Sequence, residues 1–335
     1  MNVRTSALLA TYLFCAAVPA LTYADRPAVS VEVDKIWDAG KHNAFTDLIH
    51  FQGKWFCVFR EGSAHVSPDG SLRVLASEDG QKWQSVALIS SAGLDLRDAK
   101  ICVTPDNQLM LTGAGVTQSP QEKSHQSFVW LSPDGSQWSK PHAVGDRNYW
   151  IWRVTWHKGT AYAVGYKTGL SDRTKEGRVR LYRSEDGKKF ETLVDDLGLR
   201  SHPNESSLAF LEDGTALCLV RRDGKPENGA LLGTARPPYT EWNWKDLGIR
   251  IGGPQLLQLP SGEFIVSGRD YPKGAKTKVW SLDLTKPALQ ELVTLPSGGD
   301  TSYPGLVFHD DKLWVSYYSS HEGKTSIYLA QVQLP

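Results

Sequence analysis

The sequence predicts an all-β fold, a six-bladed β-propeller whose N-terminal strand closes the last blade, and three observations predict it. Short turn signals between two apolar runs recur at Gly53 (FQGKW), Asp106 (TPDNQ), Gly159 (HKGTA), Gly214 (EDGTA), Gly262 (PSGEF) and Asp311 (HDDKL), at spacings of 53, 53, 55, 48 and 49 residues. A repeat of about 50 residues in strand-rich units marks propeller blades. No apolar run of helical periodicity reaches useful length, which excludes a helical solenoid. Finally, the C-terminal unit holds only three strands, and an orphan strand near the other end of the chain supplies the fourth.

Taken in order, residues 1–24 read as a secretory leader. Arg4 gives the positive start, Ala7 to Val18 is an apolar stretch too short to span a membrane, and Thr22 and Ala24 are the small residues before a cleavage site at Asp25. Phe14, before Cys15, argues against a lipid anchor. No later apolar run reaches about 18 residues. The expectation is a secreted or periplasmic monomer without a membrane anchor, with residues 25–335 as a single domain. Ser30–Trp37 is the orphan strand. The first unit parses as Thr46–Phe51, Lys54–Phe59, Leu72–Ser77 and Gln84–Leu88, and the last as Pro304–Phe308, Lys312–Tyr317 and Thr325–Gln333. Pairing the orphan strand with the last unit leaves no free sheet edge. Cys57, Cys102 and Cys218 sit in strand-like runs at scattered positions, which favours buried free thiols over a disulfide framework.

The 37 basic residues match the 37 acidic ones, so bulk charge gives no attraction for nucleic acid. There is no phosphate-binding loop, dinucleotide fingerprint, HExxH, Cys/His ligand spacing or EF-hand loop, and no nucleophile elbow. No cofactor or metal is expected.

In a propeller the innermost strands begin, and the second strands end, on one face around the central axis. Strand starts place Asp47, Arg97, Asp98, Arg153, Glu205 and Tyr303 there. Second-strand ends add Arg60, Arg221, Arg269, His321 and Glu322. Charges facing an axis are costly unless they pair or hold a ligand. So many arginines suit an anionic, carboxylate-bearing ligand. The competing reading is an ion-paired channel lining.

A second repeat overlies the first. Ser77-Glu-Asp79-Gly80-Gln-Lys-Trp83 recurs as Ser132-Pro-Asp134-Gly135-Ser-Gln-Trp138 and, more weakly, as Ser184-Glu-Asp186-Gly187-Lys-Lys-Phe190. This pattern resembles the Asp box of the sialidase (neuraminidase) superfamily. It is a signal of fold, because such turns lie at the blade rim. The catalytic resemblance covers about the second half of the chain. Glu205 through Asp213-Gly214 to Arg221 is similar to the family's Glu, turn and arginine, which implies that Glu205 partners a tyrosine nucleophile and Arg221 binds a carboxylate. Tyr303-Pro-Gly-Leu-Val resembles the nucleophilic tyrosine segment, and Arg269 matches a further arginine. The first blade departs. Ala44-Phe45-Thr46-Asp47-Leu48 lacks the family's arginine, leaving Arg60, Arg97 or Arg153 to replace it. His65 stands where the family's acid/base aspartate is expected; an imidazole can also exchange protons near neutral pH.

These residues predict an exported glycoside hydrolase of sialidase-like type that removes a terminal acidic sugar, with Tyr303 as nucleophile, Glu205 as its base and His65 as acid/base. The alternatives are a non-catalytic propeller that binds glycan or protein, and a lyase that abstracts a proton beside a uronate carboxylate.

Overall fold

Closure of the ring decides the architecture. In a computed structural model, which describes residues 29–117, 124–168 and 177–334, Ser30–Trp37 pairs antiparallel with Ser326–Gln333, from Ser30 opposite Gln333 to Trp37 opposite Ile327. The last sheet is therefore built from both ends of the described chain. Among the described residues, twenty-four strands and no helix form six four-stranded antiparallel sheets. The blades run over residues 42–89, 94–144, 149–194, 203–246 and 252–294, with the sixth over 301–333 plus Ser30–Trp37. The expected leader and cleavage site lie outside the described residues. Cys57, Cys102 and Cys218 are free thiols.

Burial follows position in the blade. The innermost strand His42–Phe51 and the second strand Lys54–Gly62 are covered on both faces, whereas the outermost strand Gln84–Ile89 is largely exposed. Apolar clusters form between blades rather than within them. Phe56, Val58 and Val74 of the first blade pack with Leu96, Leu109, Leu111 and Trp130 of the second. Such interlocking of twisted sheets is what a closed ring of blades requires.

The three Asp turns share one hydrogen-bond pattern. Asp79 Oδ1 accepts from the backbone N–H groups of Gln81 and Lys82, both at 2.9 Å, and Ser77 Oγ accepts from Gly80 at 2.9 Å. Asp134 and Asp186 repeat it. These backbone bonds lower the pKa of each aspartate. Each turn also docks on the preceding blade. A Cβ at Gly135, whose φ is +79°, would meet Phe56 Cε1 at 2.2 Å, and one at Gly187 would meet Met110 Cε at 2.3 Å. Glycine is needed there both for the left-handed turn and for the close approach.

The innermost strands start earlier than the sequence suggests: His42 rather than Thr46, and Thr301 rather than Pro304. A β-bulge interrupts the register at each of these points, between Ala44 and Asp47 and between Ser302 and Gly305. The strand resumes beyond it, so the apolar pattern breaks off where the ladder only skips.

Candidate active site

That bulge occurs in all six blades at the same place on the innermost strand: Ala44/Asp47, Arg97/Lys100, Ile151/Val154, Pro203/Ser206, Gly252/Gln255 and Ser302/Gly305. Bulges re-aim side chains, and here they project Phe45, Asp98, Trp152, Glu205 and Tyr303 at one end of the axis. Phe45, Asp98 and Tyr303 have φ of +64°, +55° and +52°. A left-handed backbone costs a non-glycine residue about 1–2 kcal/mol, and such strain collects at functional sites. Gly253, at φ +58°, occupies the fifth-blade bulge. A Cβ on it would lie 2.7 Å from Tyr303 Cγ, so only glycine lets the Tyr303 ring rest on this backbone.

The centre is a chain of charge-assisted hydrogen bonds. The Tyr303 hydroxyl donates to Glu205 Oε1 at 2.6 Å. Arg221 Nη1 donates to Glu205 Oε2 at 2.7 Å and to the Tyr303 hydroxyl oxygen at 2.9 Å. Gly253 N also donates to Glu205 Oε2, at 2.7 Å. The Arg269 guanidinium lies 5.2 Å from the Tyr303 ring centroid, while its Nε donates to Thr301 O and its Nη2 to the Tyr318 hydroxyl, both at 2.8 Å. Phe45 and Trp152 meet the Tyr303 ring edge-on, at 5.0 and 5.5 Å. Burial, then the Glu205 charge, pushes the Tyr303 pKa well above its ordinary value, against the pull of Arg221 and Arg269. The resting group is a phenol poised on a carboxylate.

Asp98 is buried yet makes no hydrogen bond or ion pair with any described residue. Burial, opposed by Lys100, raises its carboxyl to about 6. Burial likewise lowers Lys100, whose Nζ donates to Thr46 O and sits over Trp152, to about 8. A cavity of about 340 Å³ opens beside Tyr303, Glu205 and Arg221, lined also by Trp150, Tyr166 and Asn204.

Several sequence-predicted residues lie elsewhere. Arg60 is fully buried and does not reach the cavity. Its donors go to Asp95, the Ala64 carbonyl and Ser67. Arg97 pairs with the other Asp95 oxygen. Arg153 and Asp47 form an ion pair of 2.7 Å inside the channel, lining a separate cavity with Lys100 and Gln255. At this point the arginine is held by an ion pair of the lining. His321 bonds Ser319, and Glu322 pairs with Lys35 and the Tyr328 hydroxyl, so both brace the closing strand rather than the site. Arg60, Arg97 and Arg153 are thus each held by an aspartate.

His65 is absent from the lining of the Tyr303 cavity, as are Asp98 and Arg269. Its Nδ1 lies 2.7 Å from Asp300 Oδ2, and its ring meets Phe45 edge-on at 5.1 Å. Sequence reasoning missed Phe45, His42, Asp300 and Gly253, none of which stands in a recognisable motif. It also missed Arg250, which lies over the Tyr271 ring at 4.0 Å and shares Asp223 with Arg221.

The chain matches no protein-family profile. No curated protein matches it in sequence. Among solved structures it is similar to a protein of unknown function from Dyadobacter fermentans, with TM-score 0.79 and 19% identity over 92% of this chain and 100% of that one. It is similar to the alpha-L-arabinanase of Penicillium chrysogenum complexed with arabinobiose, with TM-score 0.71 and 14% identity over 90% and 98% of the two chains. It is also similar to Trypanosoma rangeli sialidase, with TM-score 0.68 and 12% identity, covering 91% of this chain and 59% of that one. At these identities the likeness is one of fold, a sialidase-like propeller.

Proposed function

We propose that the protein is a retaining glycoside hydrolase that removes a terminal acidic sugar, with Tyr303 as nucleophile. The observation that carries this reading is the Tyr303–Glu205 hydrogen bond of 2.6 Å with Arg221 donating to both partners. The named activities of two fold neighbours, a sialidase and an arabinanase, support it. As the phenol oxygen attacks the anomeric carbon, its proton passes to Glu205, and Arg221 and Arg269 offset the developing phenolate charge. The glycosidic oxygen leaves with a proton from Asp98. Water then attacks the glycosyl–tyrosine intermediate, giving its proton to the Asp98 carboxylate, while Glu205 returns a proton to Tyr303. A neutral nucleophile also avoids repulsion from a substrate carboxylate. Arg269, whose Nη1 makes no hydrogen bond to a described residue, is the arginine assigned to that carboxylate.

Asp98 takes the acid role that sequence reasoning gave to His65, because its raised pKa and unpartnered carboxyl suit a proton donor, whereas His65 is engaged by Asp300 across Phe45. Replacing Asp98 by asparagine is expected to lower kcat roughly 100- to 10,000-fold and to remove the fall in kcat/KM as pH rises through about 6. The same change should raise thermal stability at pH 7–8. A carboxyl whose folded pKa lies above its unfolded one binds more protons when folded, so stability declines as pH rises between the two. Asparagine removes that buried charge. A variant that lost activity and stability together would mark Asp98 as structural.

The reaction class is tested by incubating the protein with acidic and neutral oligosaccharides, following both reducing ends and the absorbance of an unsaturated uronate. Reducing ends alone are expected. Both signals together would mean a lyase, and neither would mean a binding propeller.

A further inference from the structure

A second cluster, outside the Tyr303–Glu205 chain, gathers three metal-ligand types from three separate elements. His42 begins the innermost strand of the first blade, His65 sits on the loop after the second strand, and Asp300 directly precedes the innermost strand of the sixth blade. His42 Nε2 lies 3.1 Å and His65 Nδ1 lies 2.7 Å from the same oxygen, Asp300 Oδ2. One donor atom from each of the three falls within 4.8 Å of the others. Tetrahedral ligands around a zinc-sized ion stand about 3.3–3.4 Å apart, given bonds of about 2.0–2.1 Å. A small rearrangement of the three donor atoms would let an ion take the place of the protons between them.

The surroundings fix this cluster in position. The other Asp300 oxygen accepts from the Tyr318 hydroxyl at 2.8 Å, and the Asp300 N–H donates to Ser320 Oγ at 2.9 Å. Such outer hydrogen bonds orient a ligating carboxylate. The loop that carries His65 is gripped by the fully buried Arg60, which donates to Ala64 O at 2.7 Å and to Ser67 Oγ at 2.9 Å, on either side of His65. Arg60 is itself anchored on Asp95 in the next blade. A buried ion pair that immobilises a half-exposed histidine beside a second histidine and a carboxylate makes a prepared site.

We infer that His42, His65 and Asp300 bind a first-row divalent metal ion of the zinc type, on the rim of the Tyr303 site. Two imidazoles and one carboxylate favour zinc, cobalt or nickel over calcium or magnesium, which prefer all-oxygen shells. Three protein ligands leave coordination positions open, as in metal sites that also bind substrate or water. His65 meets Phe45, and Phe45 meets Tyr303, so the ion stands one aromatic ring from the nucleophile. With a single carboxylate ligand the site carries a net positive charge. It would supply, on the first blade, an anion-binding charge that Arg60, committed to Asp95 and its own loop, does not. That use rests on the hydrolase reading of the Tyr303 site; metal binding itself does not.

The test needs no substrate. The full mature chain, stripped with chelator, is titrated with Co²⁺ while the visible spectrum is followed, and with Zn²⁺ in a calorimeter. One equivalent with micromolar or tighter affinity is expected, together with a d–d band. His65→Ala, at a half-exposed position, should weaken binding at least tenfold in a folded protein. His50→Ala serves as control, because His50 and His309 form the other close histidine pair, with ring centroids 4.1 Å apart. It should leave the titration unchanged. No saturable binding, unaltered binding by His65→Ala, or loss of binding in His50→Ala would each overturn the assignment. If metal binds and no glycan is cleaved, only the hydrolase reading fails.

Discussion

Tyr303→Phe is expected to lower turnover of the cleaved glycan by on the order of 10³-fold or more, roughly 4 kcal/mol of transition-state stabilisation, with the fold and ligand binding retained. The substitution removes one oxygen. The ring keeps its edge-on contacts with Phe45 and Trp152 and its place against Gly253. What disappears is the atom that gives its proton to Glu205 and accepts from Arg221. Glu205 keeps its bonds from Arg221 Nη1 and Gly253 N, so no carboxylate is left unpaired. Measuring kcat beside the affinity of an unreactive glycan separates the outcomes. Loss of kcat with unchanged affinity is the signature of a reacting group. Near-normal turnover would remove the tyrosine mechanism and move attention to Asp98.

Glu205 and Arg221 act on the same oxygen, and their effects should not add to that of Tyr303. Arg221 is chelated by Asp223 through Nε and Nη2 while Nη1 serves Glu205 and Tyr303. Four of its five N–H donors are therefore committed within the protein. It positions and polarises the pair, and lysine cannot reproduce that geometry from a single nitrogen.

The distance between what sequence reveals and what it hides has a physical cause. The blades were legible because turn chemistry is local: Gly80 needs a left-handed φ, and Asp79 bonds only to its own turn. The grouping of Tyr303, Glu205 and Arg221 was legible because strand starts and second-strand ends share one face. Face, however, does not determine partner. Arg60 occupies such an end, but Asp95, one blade away, captures it. Arg153 lies at the bulge of an innermost strand, and there it turns into the channel towards Asp47. The six bulges have no common residue type, so no local pattern announced them. His42 and Asp300 stand 258 residues apart and meet only because the ring closes.

Ring closure also sets the largest expected effect on stability. Deleting residues 25–38 removes Ser30–Trp37 and leaves Ser326–Gln333 as a bare edge. Val31 and Val33 lose their packing on the cluster built around Val315, Tyr328 and Ala330. Trp37 loses its hydrogen bond to Glu61 in the first blade, and Lys35 its ion pair with Glu322. The ion pair is exposed and contributes little. The apolar contacts and the ladder carry the loss, on the order of 4 kcal/mol for partial burial of Val31, Val33, Ile36 and Trp37. For a domain of this size that corresponds to a fall in Tm of roughly 10 °C, with aggregation through the exposed strand edge. Trp37→Ala should show a fraction of the fall without the aggregation, because the ladder survives. A truncated protein that melts like the intact chain would mean that three strands suffice for the sixth blade, and that the terminal strand decorates a ring already closed by Asn43, whose side chain and backbone both donate to Thr325 O.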